Sequence, residues 1–348
     1  MDDLDAMSKP GQVTRLDPVA AIAGGEIAVE YEAAPSEGTR EIGIQFDGSD
    51  GHITAAGKTR ALVVVPEINT DAPVNVSTIV DGEVIPSLQR LVVGKKLAGG
   101  LHPVANPAFD PRDGSLYVTR SGSRGEHVPT SIFRVTPDGT LEKYSGDIMN
   151  PTSIAFDRTN RMFVTSRFDG TVYRITPERE MIAFADDMGI ATGLAFNRNG
   201  DMFVGDRTGT IYRVNEIGEA KPWAQHEPSV SAYHLTFGPD DNLYVTGPTV
   251  SSFDAITRFD DDGNPTMFYQ GLGRPQGLAF DRNGNLYVAA SLRGRRGVVR
   301  ISHNGSDAEI VVAAMNLVGL AFGPGGEMVV ATNEAIYSLP RAAYDSLD

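Results

Sequence analysis

Few residues in this chain can do covalent chemistry. Its 348 residues include six histidines and no cysteine. Thiolate nucleophiles, disulfides and cysteine zinc sites are excluded together. Gly-x-Ser-x-Gly, the turn that lifts a serine out of its strand, is also absent. Asp260-Asp-Asp-Gly263 is rich in oxygen ligands but lacks the later glutamate of a calcium loop, so it reads as a turn. Gly271-Leu-Gly273-Arg-Pro-Gln-Gly277 has the wrong glycine spacing for a dinucleotide loop. One acid–base set is left: Asp206 and His234 as the catalytic candidates, with Asn106 and Gln276 as polar neighbours. Asp206 and Asn106 are also the oxygen donors that could hold a divalent cation, with calcium the suitable hard ion.

A second group of residues suits recognition rather than bond breaking. Arg120, Arg167 and Arg207 carry guanidinium forks that match carboxylate or phosphate. Asn333 stands at the corresponding point further along the chain, and Arg293, Arg295 and Arg296 share one loop. Thr152, Thr192, Tyr233 and Gln276 add hydroxyl and amide groups. The ligand such a surface takes is a small polar or anionic molecule, or a peptide.

These residues belong together because each holds an equivalent point in a repeat. The repeat begins as Asn106-Pro-Ala-Phe109, Ser153-Ile-Ala-Phe156, Gly193-Leu-Ala-Phe196, His234-Leu-Thr-Phe237, Gly277-Leu-Ala-Phe280 and Gly319-Leu-Ala-Phe322. The phenylalanines are 47, 40, 41, 43 and 42 residues apart by subtraction of their numbers. A tight turn follows most of them, for example Asn199-Gly200 and Asn283-Gly284, supplying the positive φ angles a hairpin needs. A second strand follows (Leu116-Tyr-Val118, Leu243-Tyr-Val245), then a third (Val172-Tyr-Arg-Ile175, Ile211-Tyr-Arg-Val214) and a weaker fourth. Alternating, β-branched and aromatic segments exclude a helical repeat of similar length. Four strands in about 40 residues, repeated six times, predict a six-bladed β-propeller over 91–340.

The last unit has no fourth strand of its own. Leu91–Leu97 is therefore expected to close the ring as its outer strand, hiding an exposed edge. The column Arg134, Arg174, Arg213, Arg258 and Arg300 recurs with the period and is expected to tie neighbouring blades together. The candidate site falls on the face formed by the first-strand entries and the loops between second and third strands, where length and composition vary.

The repeat resembles the NHL family and is similar to the wider gluconolactonase and senescence-marker clan. That resemblance covers about 250 residues and implies a propeller. It implies function weakly, because one scaffold hosts many activities. The clan's lactonases hold a divalent metal with carboxylate and amide ligands on first-strand entries. Here that column reads Ala105, Thr152, Thr192, Tyr233, Gln276 and Val318, with no carboxylate. The metal site does not carry across intact, which leaves a divergent lactone or ester hydrolase as the alternative to a ligand- or protein-binding propeller.

Residues 12–90 lack the repeat. Ala23-Gly-Gly25, Ala61-Leu-Val-Val-Val-Pro66 and Val74-Asn-Val76 mark short strands separated by turns, which predict a small β-sandwich. Their order resembles the IPT/TIG immunoglobulin-like domain, which implies a spacer, an interaction module or a cap. Residues 1–11 and 341–348 are expected to be a flexible start and a tail. The fold class is thus all-β.

The net charge of -15 makes nucleic acid an unfavourable partner. No segment has the roughly 20 apolar residues of a membrane span, and the acidic start lacks the features of a secretory signal. The reading is a cytoplasmic protein without a membrane partner.

Overall fold

The computed structural model describes residues 9–33, 42–123, 125–145, 148–251 and 253–345. Most of the expected flexible start, residues 1–8, and the last three residues of the expected tail lie outside the described residues. The chain is built from strands, with one short 3-10 helix at Arg341–Ala343 among the described residues. The sequence stretches that alternate least are buried on both sides. Met162–Ser166 and Met328–Thr332 are buried at every position, because each second strand lies inside its sheet and between two neighbouring sheets.

Six antiparallel four-stranded units form a ring, and we number these blades in chain order. Blade 1 comprises Ala108–Phe109, Leu116–Thr119, Ile132–Val135 and Leu141–Ser145. Blade 2 comprises Pro151–Phe156, Met162–Ser166, Thr171–Ile175 and Met181–Ala185. Blade 3 comprises Ala191–Phe196, Met202–Asp206, Thr210–Val214 and Ala220–Gln225. Blade 4 comprises His234–Phe237, Leu243–Thr246, Asp254–Phe259 and Pro265–Gly273. Blade 5 comprises Leu278–Phe280, Leu286–Leu292, Arg295–Ile301 and Ala308–Ala313. Blade 6 comprises Leu317–Phe322, Met328–Thr332 and Ala335–Leu339. Its fourth strand comes from earlier in the chain, Lys95–Gly99, paired antiparallel to Ala335–Leu339. Each first strand touches the first strands on either side, and blade 1 touches blade 6, so the ring is closed.

The repeated aromatics explain how blades stack. Tyr117 of blade 1 packs edge-on against Tyr144 of its own outer strand and Phe156 of blade 2. Phe163 meets Phe184 and Phe196 in the same way, Phe203 meets Trp223 and Phe237, and Tyr244 meets Phe268 and Phe280. From blade 2 to blade 6 the first-strand phenylalanine thus fills the space beside the preceding blade's second-strand ring, whereas Phe109 of blade 1 shares a cluster with Val329 of blade 6. Such ring pairs add about 0.5–1.5 kcal/mol each beyond the area they bury. Blade 5 has no outer-strand aromatic for its Tyr287. Tyr344, from beyond the last strand, takes that place against Tyr287 and Phe322, with ring centroids 5.5 and 5.3 Å away. The following residue, Asp345, accepts a hydrogen bond from Arg341 Nε at 2.6 Å. The segment expected to be a tail is therefore anchored as far as the described residues extend.

The arginine column of the third strands pairs mainly within single blades, although Arg300, paired with Glu309 of its own blade, also donates to the Tyr344 carbonyl beyond blade 6. Arg134 pairs with Asp113 and Glu142, Arg213 with Asp201, and Arg258 with Asp240, each within its own blade. Direct ties to the next blade come from other arginines, on the turns between first and second strands. Arg158 donates to the Asn199 carbonyl, Arg198 to Pro239 and Arg282 to Pro324, each on the next blade. The third-strand side chain lies above its own turn, whereas the turn arginine reaches sideways.

The N-terminal unit has two sheets facing one core. One sheet holds Val13–Asp17, Glu26–Tyr31, Arg60–Val64 and His52–Ala56. The other holds Ala20–Ala21, Arg90–Val93, Val74–Val80 and Ile42–Phe46. Leu16, Ile27, Val29, Phe46, Val63, Val76 and Leu91 fill the space between. Leu91 and Val93 thus belong to this core, so the ring-closing strand starts at Lys95 instead of Leu91. Gly94 is the joint. A methyl group there would lie 2.8 Å from Ile22 Cγ2 and 3.2 Å from Leu339 Cγ.

This unit is fixed to the ring. Ala20–Ala21 runs parallel to the outer strand of blade 5, pairing Ala21 with Ala313. Arg295 donates to the Asp17 carboxylate at 2.6 Å and also to the Asp17 carbonyl. Gly25 has no side chain because a methyl group would stand 2.2 Å from the Ala313 carbonyl oxygen.

Candidate functional site

One side chain ties the inner strands of three blades. Asn106 enters from blade 1, donates to the Leu278 carbonyl of blade 5 at 2.9 Å and accepts from the Leu320 amide of blade 6 at 3.1 Å. A methyl group on Gly277 would lie 1.8 Å from Asn106 Oδ1, and one on Gly319 would lie 2.6 Å from the Asn106 amide nitrogen. The small residues in this column make room for Asn106. Both ends of its amide are engaged, so the structure uses it as a tie and not as the metal ligand expected from sequence.

The threonines serve the ring in the same way. Thr119 donates to the Thr152 carbonyl, Thr165 to the Thr192 carbonyl and Thr246 to the Gln276 carbonyl, at 2.9, 2.9 and 2.6 Å, each across a blade boundary. The Thr192 hydroxyl donates to the Gly205 carbonyl and accepts the Tyr233 amide. The Thr152 hydroxyl is buried with no hydrogen-bond partner among the described residues.

Asp206 is buried at the end of a second strand. Its carboxylate accepts the amides of Ile190 at 2.9 Å and Thr208 at 3.1 Å, and the Thr208 hydroxyl. It therefore holds a turn together, and three donors already engage the carboxylate expected to serve a catalytic or metal role. Among the described residues no group of three or more His, Asp or Glu side chains could hold a metal ion. Tyr233 points its ring into the core between blades 3 and 4, and burial raises its phenol above the ordinary range.

The arginines divide by role. Arg167 donates to the Gly122 carbonyl and Arg207 to the Ser229 carbonyl, so both brace loops. Arg120 is half-buried and close enough to Glu126 to lower that carboxyl, after the hydrogen bonds from Ser123 that act more strongly. Asn333 is exposed, and its amide donates to the Asn316 carbonyl. Of the three arginines in the blade 5 loop, Arg293 is exposed and Arg295 docks the N-terminal unit, while Arg296 remains at the mouth.

There Arg296 meets residues from the adjoining blade. A pocket of about 170 Å³ is lined by Arg274, Gln276, Ser291, Arg296 and Asn316, over a floor that includes Ala289, Ala290 and Leu317. Its lining contains two guanidinium groups and no carboxylate. Neither Arg274 nor Arg296 has an ion-pair partner among the described residues. The backbone of Arg274 is held at φ 49°, with its amide bonded to Asp254 Oδ2 at 3.2 Å. Of the candidates read from sequence, Gln276 and Arg296 line this pocket. Arg274 and Asn316 were missed because each stands just outside the repeat columns. Their positive φ angles mark where the chain turns into an inner strand, a feature that residue type does not encode.

Behind Gln276 lies His234, with Nε2 3.2 Å from Gln276 Oε1. His234 is fully enclosed, and burial lowers its pKa to about 4. It is therefore neutral near pH 7.

No protein-family model matches this chain, and no curated protein matches it. Solved structures do. An auxiliary nutrient binding protein from Bacteroides ovatus matches with a TM-score of 0.55 at 13% identity, over 95% of this chain and 98% of its own. A gluconolactonase from Xanthomonas campestris matches with a TM-score of 0.57 at 17% identity, over 71% of this chain and 90% of its own. The virginiamycin B lyase of Staphylococcus aureus matches with a TM-score of 0.52 at 15% identity, over 86% and 98%. At these identities the likeness is one of fold: the chain is a β-propeller.

Proposed function

We propose that this protein is a ligand-binding propeller that takes a small anionic molecule in the pocket between blades 5 and 6. The observation that carries this is the lining itself: Arg274 and Arg296 share one concave site with Gln276, Ser291 and Asn316 and no carboxylate. Two guanidinium groups without an ion-pair partner among the described residues, in a protein of net charge -15, favour an anion from outside. The name of one structural neighbour, a nutrient binding protein, is in keeping with a small-molecule ligand. The hydrolase alternative is less supported, since Asp206 and Asn106 are both occupied by the fold.

We read the N-terminal unit as an immunoglobulin-like sandwich of the IPT/TIG kind, and the ring as an NHL-type propeller. The sandwich serves as a brace on blades 5 and 6. A cytoplasmic location and the absence of a nucleic-acid partner belong to the same reading.

The test is calorimetric titration of the full chain with a panel of small organic acids and their neutral analogues. Saturable binding of an acid that disappears in both Arg274→Glu and Arg296→Glu supports the reading. Binding that survives both reversals overturns it.

A further inference from the structure

Gln276 is the one lining residue whose orientation is controlled from behind. Its Oε1 faces His234 Nε2 at 3.2 Å. A carboxamide oxygen only accepts hydrogen bonds, so the histidine must donate. A neutral imidazole carries a single N–H, which this contact places on Nε2. The amide's two ends are then distinct. The oxygen is held toward the protein interior, while the Gln276 Nε2 group, a donor of two hydrogen bonds, has no partner among the described residues. Without His234 the amide could turn over and present an acceptor at nearly the same place, because its two ends have almost the same shape.

We propose that His234 is a positioning residue that fixes the Gln276 amide with its nitrogen available to the pocket, and that the pocket selects a small carboxylate over the matching neutral amide. This deepens the function proposed above and rests on it. With Gln276 fixed this way, Arg274, Arg296 and Gln276 contribute only donors. Ser291 and Asn316 can donate or accept, so they accommodate a hydroxyl elsewhere on the ligand. A carboxylate accepts at every lone pair. A carboxamide of the same size turns an NH₂ toward one of these donors and so forfeits a charge-assisted hydrogen bond that the carboxylate makes there. His234 acts through Gln276 and touches no ligand itself.

The experiment measures the affinity of the full chain for lactate and for lactamide, which differ only in the acid group. Wild type, Arg296→Gln, His234→Phe and His234→Gln are compared, each first checked for a cooperative melt. Wild type is expected to bind lactate and to prefer it to lactamide by about tenfold or more, the scale of one hydrogen bond to a charged group. Arg296→Gln should lose lactate binding. His234→Phe should keep measurable lactate binding while its preference over lactamide falls severalfold. His234→Gln, which retains a donor within reach of Gln276, should restore much of that preference. If Arg296→Gln abolishes binding but His234→Phe leaves the preference unchanged, the pocket stands and the positioning role falls. If wild type binds neither compound, or prefers lactamide, the carboxylate assignment is overturned. If Arg296→Gln binds lactate as wild type does, the pocket itself is wrong. A folding failure of His234→Phe leaves the His234→Gln comparison and the wild-type preference to decide.

Discussion

Asn106 Oδ1 occupies the space that a methyl group on Gly277 would need, 1.8 Å from where its carbon would stand. The glycine in blade 5 and the asparagine in blade 1 are thus one feature, although 171 residues separate them in the sequence (277 minus 106). Gly277→Ala is expected to destabilise the protein by about 1–3 kcal/mol, the usual cost of overpacking. Asn106→Ala removes the partners of the Leu278 carbonyl and the Leu320 amide. Its expected cost is about 1–3 kcal/mol for each group left buried and unpaired. Denaturant melts of the two variants and the double variant check this. Because the residues touch, the double variant should cost less than the sum.

Tyr344 completes the aromatic stack between blades 5 and 6, lying against both Tyr287 and Phe322. Its hydroxyl donates to the Gly326 carbonyl. Tyr344→Ala is expected to cost about 3 kcal/mol, in the range of large-to-small changes at buried aromatic positions. Calorimetry should show a lower melting temperature. An unchanged melting temperature would mean that the segment does not hold the last blade.

Much of this ring is legible in the sequence. Phe109, Phe156 and their counterparts mark the inner strands because each must fill the same space beside the preceding blade. Asn-Gly turns mark the hairpins because few other residues adopt the required φ. The boundary at Gly94 was not legible, since Leu91-Val-Val93 is equally suited to a sandwich core and to an outer strand. The site was legible only in part. A column of side chains says which residues share a position, but not whether their hydrogen bonds are already used. Asp206, Asn106 and Thr192 look available in sequence and are satisfied in the fold. Gln276 looks the same in sequence, and its amide nitrogen has no partner among the described residues.

Asp206 carries a further expectation. Its oxygens receive two backbone amides and the Thr208 hydroxyl. Adding calcium should therefore leave the melting temperature of the chelator-treated protein unchanged, because an ion bound to the native state would raise it. Asp206→Ala should destabilise the fold by about 1–3 kcal/mol through the donors it leaves unpaired. A calcium-dependent rise in melting temperature that Asp206→Ala removes would restore the metal-site reading.

Stability should also depend on His234 protonation. Burial lowers its pKa from 6.5 to about 4 in the folded state. Between those values the unfolded chain binds the proton and the folded chain does not, so stability falls as pH drops through this window. The loss from this group approaches about 3 kcal/mol at pH 4 and is absent above pH 7. Burial shifts His226 in the same direction, so it adds to the loss with the same sign. His234→Gln retains a donor but does not titrate. Denaturant midpoints measured from pH 7.5 to pH 4 should therefore fall less steeply for this variant than for wild type. Parallel pH profiles would show that His234 titrates normally in the folded protein.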